Sequence, residues 1–131
     1  MKSERCFKNY MKHRDLEVWN KAINMVTEIY KVTNTFPSHE LYALTNQMRR
    51  AAISVPSNIS EGCARFSDKE TLKFISIAIG SIAELQTQFV IAKNLNYIED
   101  EKKYTEQLEE IKRMLLGITK YLKTKEDSVL T

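Results

Sequence analysis

Arg49 and Arg50 stand side by side in the stretch QMRRAAISVPSNISEG (47–62), and Arg65 follows three residues beyond it. A guanidinium is a planar fork of donors that grips a phosphate or a carboxylate through two parallel hydrogen bonds. Two uses fit these residues. They could hold a nucleic-acid backbone, or they could pair with Glu61 and Glu84 and lock an assembly. Neighbours on a helix point about 100° apart. With Met48 and Ala51 or Ala52 facing inward, one of the adjacent arginines flanks the core and the other reaches solvent or a second subunit.

Residues suited to catalysis are sparse. Ser54, Ser57 and Ser60 cluster around Pro56, but no histidine or lysine stands near in sequence to activate them. They read instead as hydrogen-bond partners for carbonyls that a proline bend would free. His13 and His39 belong to no Glu-x-x-His pair, and the chain has no HExxH, Gly-rich phosphate loop or GxSxG elbow. Glu106, Glu109 and Glu110 alternate with Lys102, Lys103, Lys112 and Arg113 as a solvated helix face. Glu84, within an apolar run, is expected to be partly buried with Arg49 or Arg50 as partner. The expectation is a non-enzyme with no metal and no cofactor.

The net charge of +3 over 131 residues is unevenly placed. Residues 1–14 carry +4 through Lys2, Arg5, Lys8, Lys12 and Arg14 against Glu4, which leaves the rest at −1. Lys8, Lys12 and Arg14 therefore join the candidate phosphate contacts. The start lacks the apolar run of a signal peptide, and no stretch approaches eighteen unbroken apolar residues. A cytoplasmic protein without a membrane partner is expected, with Cys6 and Cys63 reduced and the Asn58-Ile59-Ser60 triplet unglycosylated.

These residues must be positioned by helices, because three glycines and two prolines are too few for a turn-rich β fold. Four segments carry helical periodicity. The first, 15–35, places Leu16, Trp19, Ile23, Val26 and Tyr30 on one stripe, with Asp15 as N-cap, and ends at Pro37. The second opens near Ser38, puts Leu41, Leu44, Met48 and Val55 inward, and is expected to be kinked or broken near Pro56, with Asn58, Glu61 and Gly62 closing it. The third follows a capping box, Ser67 and Glu70, and runs to about Asn94. The fourth spans about 100–123, with Tyr104, Leu108, Ile111, Leu115, Ile118 and Leu122 as its stripe.

The implied fold is all-α: an antiparallel up-and-down four-helix bundle over 15–123, with a basic arm at 1–14 and a tail at 124–131. Apolar residues cover well over half the circumference of the third segment, and Gly80 sits in its middle. A monomeric bundle needs only one apolar stripe per helix. A homo-oligomer interface is therefore expected there, around Phe74, Ile77, Gly80, Ser81 and Glu84.

Four ordered motifs occur: FP-x-x-E at 36–40, Q-x-RRA at 47–51, S-x-x-x-NI-x-EG at 54–62 and GS-x-x-EL at 80–85. Through them the chain resembles the 23S rRNA intervening-sequence proteins, also called four-helix bundle proteins, from about Asp15 to Leu122. The resemblance implies a homopentameric barrel. It also suggests as partners RNA or DNA, a ribosomal component, or a reverse transcriptase, the last by way of the related accessory variability determinants of diversity-generating retroelements. It implies no catalytic role for any matching residue. The near-neutral domain departs from the strongly basic surface of that retroelement branch. A protein-interaction scaffold without nucleic acid is the alternative.

Overall fold

The computed structural model describes residues 13–130, with side chains through Lys125. Lys8 and Lys12 lie outside the described residues. Among the described residues there are four α-helices, α1 Glu17–Thr33, α2 Leu44–Ala64, α3 Asp68–Asn94 and α4 Lys102–Leu130, and no strand. Each helix packs against its neighbour in sequence, and α1 also meets α4, so the four enclose one core. Ile29, Met48, Ile59, Ile82, Leu85, Phe89, Leu108 and Leu115 are fully buried in it.

In α1 the buried face is Val18, Ala22, Met25, Ile29 and Thr33, one position away from the stripe expected from sequence. Trp19 and Val26 are half-buried, and Ile23 and Tyr30 are exposed. Both rows have helical spacing. The interior takes the row without aromatic rings, while the row that carries Trp19 and Tyr30 lies along the margin, where the Trp19 indole N–H donates to Ser60 Oγ at 3.0 Å. Asp15 is not the N-cap: it ends a 3₁₀ turn, His13–Asp15, and Leu16 occupies the cap position without a side-chain cap bond.

The FP-x-x-E segment forms a 3₁₀ turn, Ser38–Glu40, so α2 begins at Leu44, later than expected, and Leu41 is exposed. Ala43, at the cap position, offers no side-chain acceptor, and Glu40 supplies one by accepting from the Leu44 N–H at 3.4 Å. The Glu40 carboxylate also accepts from the Tyr97 hydroxyl at 2.6 Å, and Phe36 meets the Tyr97 ring at 5.2 Å. Tyr97 arrives there because α3 ends in a Schellman turn. Asn96 takes φ 61°, its N–H bonds Lys93 O, and the Tyr97 N–H bonds Ala92 O.

α2 is not broken at Pro56 but continues to Ala64 with the proline buried inside it. Pro56 withholds the N–H that Ala52 O would accept, a defect of ~3 kcal/mol in an isolated helix. Here the helix is packed along Met48, Ala52, Val55, Ile59 and Gly62, and that burial outweighs the missing bond. The serines do not serve the freed carbonyl. Ser54 pairs with Ser81 of α3 at 2.8 Å, and Ser60 donates to Pro56 O while accepting from Trp19. Asn58 donates to Ser54 O and Oγ. Gly62 does not end α2; it is a contact, where an added Cβ would lie 3.4 Å from Thr71 O and 3.5 Å from the Phe74 Cβ.

The Ser67 cap of α3 forms as expected, accepting from the Glu70 N–H at 3.2 Å. α4 extends through 124–130, so the expected tail is helix, and Lys125 pairs with Asp68 at 3.7 Å. Lys21 of α1 meets Glu110 of α4 at 2.7 Å across the seam that closes the bundle.

Candidate nucleic-acid interface

The sequence nominates five arginine and lysine contacts beyond Arg50, and the structure does not gather the described ones into one patch. Arg49 is spent on the fold. Its Nε donates to Thr33 Oγ1 at 3.0 Å, a terminal nitrogen donates to Asn34 Oδ1 at 3.3 Å, and the guanidinium lies 4.6 Å over the Tyr30 ring. Thr33 is the last residue of α1 and Asn34 its C-cap, so a cation sits at the negative end of that helix. Arg65 pairs with Glu61 at 2.8 Å and covers the Phe74 ring at 4.6 Å. Its Nε is shielded and has no hydrogen-bond partner among the described residues. Arg14 is exposed in the middle of the 3₁₀ turn, and its carbonyl accepts from the Asn20 side chain.

Arg50 differs from all of these. It is exposed and makes no hydrogen bond or ion pair among the described residues. It opens onto a groove of about 480 Å³ between α2 and α3, lined by Tyr42, Asn46, Gln47, Arg50, Ala51, Ser54, Ser81 and Glu84. Tyr42, on the turn before α2, is 90% exposed. Glu84 is exposed too, and the expected ion pair with Arg49 or Arg50 does not form. Two of the sequence motifs, Q-x-RRA on α2 and GS-x-x-EL on α3, thus meet at one polar groove. Tyr42 and Asn46 escaped the sequence reading. Tyr42 falls outside every apolar stripe, and that mismatch is the signal that could have found it.

The expected interface set on α3 divides. Phe74 packs beneath Arg65, Ser81 bonds Ser54, and Glu84 lines the groove. Ile77 remains 45% exposed, and a Cβ added at Gly80 would meet nothing within 4 Å. Val90 and Ile91 of the same helix are exposed as well. Only 33% of the most apolar eighteen-residue window of α3 is buried within the chain, at a mean hydropathy of 1.5. By length and composition alone that helix is long and apolar enough to cross a membrane, a test that the core helix of a bundle also passes, and no eighteen apolar residues run unbroken.

Among the described residues no group of three His, Cys, Asp or Glu side chains could hold a metal. A profile of the 23S rRNA-intervening sequence proteins matches residues 14–117, from the first described turn into the last helix. The chain belongs to that family. Its four motifs lie within the matched span, as do the groove and the outward face of α3. A comparison with curated proteins returns no match. Within this 23S rRNA-intervening sequence protein, the groove carrying Arg50 brings together a guanidinium, an exposed ring and two side-chain amides that have no partner among the described residues.

Proposed function

We propose that this is a non-catalytic, homo-oligomeric protein that associates with RNA, or with an RNA–protein complex, through arginines displayed on an up-and-down antiparallel bundle. The carrying observation is Arg50: a guanidinium with no partner among the described residues, on the rim of a polar groove, in a chain of the 23S rRNA-intervening sequence family. Arg14 and the preceding Lys8 and Lys12 would add general attraction to phosphate. Self-association would use the outward apolar positions of α3, Ile77, Val90 and Ile91, with Gly80 admitting close approach of another backbone. A pentamer is the assembly that the family resemblance suggests, and a ring of that kind would repeat Arg50 around one axis.

The test is a titration of the full chain against structured RNA and duplex DNA at about 50 mM and 200 mM salt, a range over which several phosphate contacts cost orders of magnitude in affinity. Binding that weakens steeply with salt supports the reading, and no binding at the lower salt ends it. A second reading, a scaffold for a protein partner, draws on the shallow apolar groove of about 200 Å³ formed by Trp19, Ile23, Val26, Ile53 and Pro56.

A further inference from the structure

We infer that the Tyr42–Arg50–Glu84 groove is a site for an unpaired nucleotide of single-stranded RNA, with Tyr42 as the stacking platform. The inference rests on the RNA reading above and narrows it to one strand state and one site.

The argument begins with charge. Residues 15–131 sum to −1, so the bundle has no net positive charge to lend a duplex phosphate backbone. What it offers instead is local. Tyr42 is 90% exposed on the lip of a concave groove, and a ring so placed is a face on which a flat group can stack and be buried. A base within a duplex has both faces stacked and its pairing edge occupied, so it cannot use such a platform. An unpaired base can, and stacking tolerates any sequence.

The remaining lining supplies the other contacts a nucleotide needs. Arg50 provides the bidentate donor for its phosphate. Asn46 and Gln47 carry side-chain amides that both donate and accept, suited to a base edge, and neither has a partner among the described residues. Glu84, on the α3 side, can only accept when ionised. It repels phosphate, which fixes the backbone toward Arg50, and it favours a base with an exocyclic amino group over uracil. Ser54 and Ser81 are already bonded to each other at 2.8 Å and hold the two walls together. The volume of about 480 Å³ falls within the roughly 300–1,000 Å³ typical of small-ligand clefts.

The experiment uses fluorescein-labelled oligoadenylate, oligocytidylate and oligouridylate and a duplex RNA of the same length, titrated by anisotropy with the full chain. Single strands should bind more tightly than the duplex, and oligouridylate most weakly of the three. Tyr42→Ala should weaken single-strand binding about tenfold, from the loss of one stacked base. Tyr42→Phe should retain it, and Glu84→Gln should narrow the preference against oligouridylate. Phe66→Ala is the control, since Phe66 is also fully exposed but sits on the α2–α3 loop, outside the groove. If the wild-type chain binds no RNA, the proposed function itself falls, and this inference with it. If RNA binds but Tyr42→Ala and Arg50→Ala leave the affinity unchanged, or the duplex binds equally well, the site is wrong while the RNA reading stands. If those substitutions change the mass measured by light scattering, the groove is a contact between copies of this chain, and the inference is overturned.

Discussion

Arg49 donates to Thr33 and Asn34 at the end of α1, whereas Arg50, one residue on, faces an open groove. The pair therefore separates by measurement. Arg49→Ala should cost about 1–2 kcal/mol in urea unfolding, from two lost hydrogen bonds and a lost cation at a helix C-terminus. Arg50→Ala should change stability by less than about 0.5 kcal/mol, as exposed substitutions do, while weakening RNA binding. Glu40 gives a second residue-scale prediction. The Tyr97 hydroxyl donates to its carboxylate and holds it below the usual range, and the Leu44 N–H and His39 act in the same direction. A depressed carboxylate contributes stability above its unfolded value, about 4.3, and loses it as pH falls through the lower folded value. Tyr97→Phe should thus lower Tm near neutral pH, and the gap to wild type should shrink as pH drops below that window. The partner effect has the opposite sense: Tyr97 is raised, chiefly by its bond to Glu40. Its contribution is complete below the ordinary tyrosine value and disappears as pH rises through the elevated one.

The elements differ in how much of their surface the fold consumes. A Cβ on Gly62 would touch Thr71 and Phe74, whereas on Gly80 or Gly117 it would meet open space within the chain. Gly80→Ala and Gly117→Ala should each stabilise the chain by about 0.5–1 kcal/mol through helix propensity, read from urea midpoints. If Gly80 admits a second backbone, its alanine variant should also weaken self-association at dilute concentrations, and the Gly117 variant should not. α3 and α4 meet through Phe89, which stacks on Tyr104 with centroids 4.6 Å apart and planes at 4°. Phe89 is fully buried, so Phe89→Ala should cost about 3–5 kcal/mol, enough to unfold a marginal bundle.

For the whole molecule, the unburied apolar surface of α3 is the feature to explain. A charge placed on that face should separate copies of the chain without disturbing the core. If that face joins copies of the chain, Ile77→Asp should lower the mass read by light scattering to that of the monomer while leaving helical content intact. A wild-type chain that is already monomeric at micromolar concentration would refute self-association. Association of wild type with lipid vesicles, abolished by the same substitution, would instead assign the face to a membrane.

The helix count, the α3 cap and the core of α4 were legible in the sequence because each follows from local spacing. The sequence also named the family, through motifs that survive as strings. Local spacing could not choose between the two apolar rows of α1, because that choice depends on which row the facing helices can accommodate. Nor could it tell Arg49 from Arg50, since a residue's partners come from other elements: Thr33 and Asn34 for one, none among the described residues for the other. Pro56 shows the same limit. Its propensity argues for a break, and the packing of α2 overrides it. Propensity and periodicity are set by neighbours along the chain, while burial, pairing and exposure are set by neighbours in space.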